Sequence, residues 1–154
     1  MYIPIKELIQ AYSYYPQILS KVFSEDSNFD PYKRNPTPSD WAPVEIICHL
    51  RDCEKVALER TLSIKNNNNP LLEGFDQEAW AIEKGYIKSD FKQVFQVFIE
   101  LRKQHINILI ELDNREWNMI GQHTEIGKIS IYNHIVRMLA HDFIHAEQII
   151  RSIS

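Results

Sequence analysis

The sequence predicts an all-α protein: a four-helix bundle with long loops between helices 1 and 2, 2 and 3, and 3 and 4. Three observations lead there. Apolar residues recur at helical spacing in four separate stretches. Almost nothing alternates with the period of two that a half-buried strand requires. The 154 residues, 44% hydrophobic and 25% charged with only four glycines, suit one domain over residues 1–154, in which a chain of this length buries roughly 70% of its unfolded surface.

The first predicted helix, roughly 4–23, carries Ile5, Leu8, Ile9, Tyr12, Leu19 and Val22 on one stripe, with Pro16 expected to kink or break it. Residues 24–42 contain three prolines among Ser, Asp and Asn turn formers and predict a loop. The second helix opens at Pro43, whose missing N–H is harmless in a first turn, and runs to about Lys65 before Asn66 to Pro70 stop it. A long connection, 66–88, is broken at Gly74 and Gly85 and anchored by Phe75, Trp80 and Tyr86, with a short helix around 76–83. Such a connection crosses over a fold or covers a site.

The third helix starts after Ser89 or Asp90, either a suitable cap, and has the clearest stripe: Phe91, Val94, Phe95, Phe98, Leu101, Ile108, Leu109 and Leu112. A second loop is expected over 115–128. The last helix, about Ser130 to Ser152, is expected to carry Ile131, Ile135, Met138, Ile149 and Ile150 on or near its buried side. The one stretch that could be extended, Ile126 to Ile131, is better explained as the start of that helix.

Charge excludes some functions. Seventeen basic and 21 acidic side chains leave a net charge of −4, so there is no cationic surplus to neutralise nucleic-acid phosphates. No run of 18 apolar residues exists to span a membrane, and the N-terminal stretch, with Lys6 and Glu7 and no long apolar run, does not read as a signal peptide. Cys48 and Cys53, five apart on one helix, point about 140° from each other and are not expected to bridge. A reducing, cytoplasmic location fits.

Of six histidines, the placement of three matters most. His141 and His145 are four apart, so about 40° and 6 Å separate them and both rings leave one face. That face also carries Ile131, Ile135 and Met138, which turns it inward. Neutral imidazole is a common ligand for zinc, nickel and iron, yet an H-x3-H pair also arises in helical cores, where Tyr, Glu or backbone oxygens satisfy it. His134 faces inward too, but about 10.5 Å away along the axis it is too far to share an ion and is expected to be a satisfied core residue. His49, beside Glu45, Asp52, Cys53 and Val56 on the second helix, supplies a third ligand if that helix packs on the last one. Three ligands and an open position characterise catalytic sites. Glu45 and Asp52 are either acceptors that fix a histidine tautomer or solvated charges, and Cys53 is a ligand or, more simply, a small core residue. His105 reads as a half-buried helix residue, and His123 as a residue at the mouth of a site. Trp41, Phe75, Trp80 and Trp117 line a pocket or, more commonly for such residues, anchor the core.

The segment W-A-P-V-E-I-I-C-H-L-R-D-C-E (41–54) resembles the W-S-P-x-E-x-x-x-H-L-x-D-x-E signature of the DinB-like superfamily, the DinB/YfiT-type four-helix-bundle metalloenzymes. The likeness continues through P-L-L-E-G-F-D-Q-E-A-W-A (70–81), F-I-E-L-R (98–102) and W-N-M-I-G-Q-H-T-E-I-G-K-I-S-I (117–131). It ends in H-D-F-I-H-A-E-Q-I (141–149), similar to the family's H-D-x-x-H-x-x-Q-I. The resemblance implies a divalent metal ion, zinc or nickel foremost, held by His49, His141 and His145. It also implies a crossed bundle topology and a homodimer. Ala42 departs from the family's Ser and loses an N-cap worth about 1 kcal/mol.

The expected activity is that of a metal-dependent enzyme acting on a small-molecule substrate, with no nucleic-acid or membrane partner. It is either a hydrolase using metal-bound water or a transferase using a bacterial low-molecular-weight thiol as co-substrate. Glu45, Asp52 or Asp142 could relay protons or be exposed helix charges, and Gln148 could orient a ligand or sit at the surface. The alternatives are a non-catalytic metal-binding or stress-response protein, and a helical protein whose histidines pack without metal.

Overall fold

A computed structural model describes residues 2–34 and 41–153. Its helices are α1 (Ile5–Glu25), α2 (Pro43–Asn66), α3 (Gln77–Glu83), α4 (Phe91–Glu111), α5 (Asn114–Trp117) and α6 (Ile131–Ile153). The four long ones, α1, α2, α4 and α6, make the bundle. Residues 35–40 of the predicted 24–42 loop lie outside the described residues. Among the described residues, no helix is long and apolar enough to cross a membrane.

Local chemistry sets the helix starts. Asp90 accepts the Gln93 N–H at 3.0 Å and Asp76 the Ala79 N–H at 3.0 Å, capping α4 and α3. Ser130 Oγ accepts the Asn133 N–H at 3.1 Å at the start of α6. Ala42 offers no side-chain oxygen, but Glu45 reaches back to the Ala42 N–H at 2.8 Å, so half of a capping box survives.

Paired contacts give the helix directions. Tyr12 meets His105, Tyr15 meets Phe98 and Phe23 meets Phe91, so α1 and α4 are antiparallel. His49 meets His141 while the Ala57 carbonyl meets His134, so α2 and α6 are antiparallel too. Glu54 with Arg102 and Thr61 with His105 make α2 and α4 parallel. Each of α1 and α2 packs on both α4 and α6, which leaves α1 and α2 on a diagonal. Parallel neighbours cannot be joined by a tight turn: the 24 residues of α2 rise about 36 Å, and the chain must travel back that far. This is why the 67–90 connection is long.

Two sequence expectations need correction. The stretch from 120 to 130 is a hairpin, not a loop and helix start: β2 (Ile120–His123) and β3 (Gly127–Ser130) are antiparallel, and β1 (Leu71–Leu72) joins β2 in parallel. Its alternation is hard to see because only Gly121 and Ile129 point into the protein on these strands. Gly121 is required there, since a Cβ would come within 2.8 Å of Leu72, and Gly127 turns the chain at φ +77°. Pro16 does not break α1, which continues to Glu25. The carbonyl that Pro16 leaves without a helical donor is that of Tyr12, and Arg102 Nη1 donates to it at 2.8 Å.

The apolar core forms two clusters. One contains Leu19, Ile46, Ile47, Leu50, Phe98 and Ile149, the other Leu8, Ile64, Leu109, Trp117, Ile131 and Ile135. In sequence position along the helices, a buried polar layer falls between them. Arg102 donates to Glu54 Oε2 at 2.9 Å and to both oxygens of Asp142 at 2.8 and 3.0 Å. His105 Nδ1 donates to Glu54 Oε1 at 2.8 Å, Tyr12 Oη to Glu54 Oε2 at 2.7 Å, and His105 Nε2 meets Thr61 Oγ1 at 2.8 Å. His105 and Asp142, readable from sequence as half-buried and exposed, are both buried. Their partners lie 40 to 51 residues away along the chain.

Burial by itself would raise the Glu54 carboxyl, but the Arg102 charge and the donors His105 and Tyr12 outweigh it and hold the group at about 2 instead of 4.5. A depressed carboxyl stabilises the fold above the unfolded value and loses that contribution as pH falls toward the folded one. Glu54→Gln is therefore expected to destabilise the protein by about 3 kcal/mol at neutral pH. The difference from wild type should shrink as pH falls from 4.5 toward 2. Urea denaturation across that range measures it, and equal midpoints for the two proteins at pH 7 would refute the assignment.

Candidate metal centre

Where the first turns of α2 pack against α6, three imidazoles meet. His49 Nε2 is 2.9 Å from His141 Nε2, which is 3.1 Å from His145 Nε2. The ring centroids form a triangle with sides of 5.0, 4.7 and 4.4 Å. α6 presents two of these rings because 141 and 145 are one turn apart, and antiparallel α2 brings the third. Nitrogens bound to one tetrahedral ion at 2.0–2.1 Å stand roughly 3.3 Å apart, so the observed spacing is close to that of ligands around a shared cation.

Hydrogen bonding and burial favour ligand-competent imidazoles. His145 Nδ1 donates to Gln148 Oε1 at 2.7 Å, which leaves a lone pair on Nε2, the atom that faces His141. His141 Nδ1 is buried without a partner among the described residues, so this ring is engaged only through Nε2. The Trp41 ring packs on His49 at 5.2 Å. Burial, and then repulsion from His145 and His141, lowers His49 to about 3; burial, followed by His145 and Arg102, does the same to His141. Burial lowers His145 as well. All three rings are neutral at physiological pH and free to give an electron pair to a cation.

A fourth donor is near. Cys53 Sγ lies 3.5 Å from His49 Nε2, and the donor atoms of His49, Cys53 and His141 all fall within 4.8 Å of one another. Burial, reinforced by Asp52, pushes the Cys53 thiol up to about 12. As a ligand it would first have to lose a firmly held proton, which the neutral imidazoles do not. Two overlapping donor sets thus share one place, His49 and His141 with His145 or with Cys53.

The acids on which the sequence left roles open turn elsewhere. Asp52 accepts from Arg51 Nε at 2.8 Å, from Lys84 Nζ at 2.9 Å and from the Tyr86 hydroxyl. Glu45 holds the Ala42 N–H and Arg34, and Asp142 holds Arg102. Among the described residues none of these acids hydrogen-bonds to the three rings, and the residue that orients one of them is Gln148. His134 is buried with its Nε2 on the Ala57 carbonyl at 3.3 Å, a satisfied core residue.

A cavity of about 200 Å³ opens beside the cluster, with His141 and Cys53 among its lining residues. His123, on β2, lines it, as does Phe75, whose ring stacks on Trp80 at 4.4 Å. Trp117, by contrast, is core. Sequence reading missed two further lining residues, Arg60 and Arg137. The available signal was that Arg60 follows His49 by eleven positions, three helical turns, and so returns to the same face.

Comparison with known proteins agrees with this architecture. A family model described as the DinB superfamily matches residues 18–149. Among solved structures, one from Bacillus subtilis, YfiT, superposes with a TM-score of 0.83 at 18% identity, covering 97% of this chain and 90% of that one. It is described as "a probable metal-dependent hydrolase with an unusual four-helix bundle topology". No curated protein matches the chain at a significant level.

Because the folded state refuses protons that unfolded imidazoles accept near 6.5, His49 and His141 contribute stability above that pH and lose it as pH falls toward 3. In the metal-free protein their imidazole NMR resonances should show no titration between pH 5 and 8. A midpoint near 6.5 for either ring would contradict the packing described.

Proposed function

This chain belongs to the DinB superfamily, and from that premise we propose that it is a metal-dependent hydrolase acting on a small molecule, with His49, His141 and His145 as the protein ligands of one zinc or nickel ion. The observation that carries this reading is the convergence of three neutral imidazole nitrogens, 2.9 and 3.1 Å apart, beside a cavity that His141 lines. The description of YfiT as a metal-dependent hydrolase supports it from a protein of the same fold.

A divalent ion in such a site supplies Lewis acidity and brings the pKa of a bound water to near 7. The rest falls to the chain's own residues. Gln148 fixes the tautomer and orientation of His145, Trp41 packs against one side of His49, and the walls of α2, α6 and the hairpin limit the water that reaches the rings. No carboxylate bonds to the three histidines among the described residues, so proton transfer from an attacking water is left to the cavity side, where His123 stands. A thiol co-substrate would enter by the same cavity, in place of water.

Protein purified without a histidine tag is expected to hold about one divalent ion per chain by elemental analysis. His49→Ala should weaken metal binding at least 100-fold. Gln148→Ala should weaken it by roughly ten- to 100-fold, and Cys53→Ser should leave it unchanged. A Cys53→Ser loss as large as that of His49→Ala would replace the three-histidine set with one containing sulfur. Hydrolysis of small esters and amides by the loaded protein without added thiol supports the hydrolase. Turnover only with thiol would make it a transferase, and metal binding without turnover on either arm would leave a metal-binding protein.

A further inference from the structure

His49, Cys53, Val56 and Arg60 recur at spacings of four, three and four along α2, and His134, Met138, His141 and His145 do the same along α6. Each set makes one continuous stripe of its helix. Because the helices are antiparallel, the stripes face each other with the three imidazoles at one end and Arg60, near His134, at the other. Arg137 stands one turn before His141 on α6. The cavity runs between these ends, roofed by His123 and Ile129 of the hairpin.

The charge around it is one-sided. Arg60 and Arg137 line the cavity, and Glu125 is its one acidic lining residue. No carboxylate lies within ion-pair distance of either arginine among the described residues: the two are missing from every such pair, although most other arginines have one. Arg60 is half-buried, its described hydrogen bond goes to the carbonyl oxygen of Glu73, and the Glu125 charge reaches it only from beyond ion-pair distance. A partly desolvated guanidinium without a counter-charge is unfavourable, and its forked donors match a carboxylate or phosphate. Between the arginines and the imidazoles the walls are apolar, formed by Val56, Leu72, Phe75 and Met138.

Resting on the metal-site reading, and naming the substrate class for that site, we propose that the cavity takes a small organic anion. Its carboxylate or phosphate group is held by Arg60 and Arg137, and its short apolar body lies along the α2–α6 groove with the reacting bond at the imidazoles. One turn of α6 separates Arg137 from His141 and two turns of α2 separate Arg60 from Cys53, so the anionic group sits roughly 6–10 Å from the reacting bond.

The test is calorimetric titration of the metal-loaded protein with butyrate and butyl phosphate, and with butyramide as the neutral probe of the same shape. At least one of the two anions is expected to bind and butyramide to bind at least tenfold more weakly. Arg60→Gln and Arg137→Gln should each weaken the anion roughly ten- to 100-fold while leaving metal content unchanged, and Arg60→Lys should recover part of the loss. Arg137 is exposed, so its variant reads the proposal even if Arg60→Gln does not fold. Anion binding that is indifferent to both arginines, or butyramide binding as tightly as butyrate, overturns the proposal. His49→Ala separates the two readings. Binding that survives loss of the ion and still depends on Arg60 and Arg137 supports the anion site independently of the metal. Binding that disappears with the ion and ignores the arginines places the anion on the metal itself and overturns the site proposed here.

Discussion

One guanidinium joins all four long helices. From α4, Arg102 donates to the Tyr12 carbonyl on α1, to Glu54 on α2 and to Asp142 on α6, and its carbon lies 3.7 Å from the centre of the Tyr12 ring. A buried charge is tolerated only when paired and fully hydrogen-bonded, and this one fixes the relative height of every helix in the bundle. It also explains Pro16, which frees the very carbonyl that Arg102 uses. Two carboxylates against one guanidinium leave an excess negative charge. The Asp142 carboxyl, lifted by burial to about 6 against the pull of Arg102, is the group that can hold the balancing proton.

The imidazole cluster inherits its geometry from that layer. Cys53 and His141, which bound the cavity, are the chain neighbours of Glu54 and Asp142, whose carboxylates Arg102 holds. The scaffold faces one way from each pair of residues and the site the other. Such placement keeps α2 and α6 in register, which ring-to-ring distances near 3 Å demand. It also removes water from the rings, and the loss of solvation keeps them neutral.

The crossed topology has its own consequence for the site. With α2 parallel to α4, the connection between them cannot be short. The segment 67–90 returns along the bundle, its β1 pairs with β2 of the hairpin before α6, and both segments line the cavity between α2 and α6. The cavity is the space they roof, so the residues that would recognise a substrate come from helix faces and from crossover segments together.

Much of this was legible in the chain. The four long helices follow from periodicity and from caps such as Asp90 and Ser130, because a helix is closed by hydrogen bonds between near neighbours. The stripe of His141 and His145, and the eleven-residue return from His49 to Arg60, follow from the same 3.6-residue turn. Other features were set elsewhere. Asp142 and His105 are indistinguishable in sequence from surface residues, since burial of a charge depends on partners dozens of positions away. The 120–130 hairpin has too few inward side chains to alternate visibly, and pairs with a strand fifty residues earlier. Hydrogen bonds between near neighbours settle which faces exist and which atoms they carry. Which faces meet is settled by packing, because the free energy of a buried charge or a shared cavity belongs to the pair of surfaces and to neither alone.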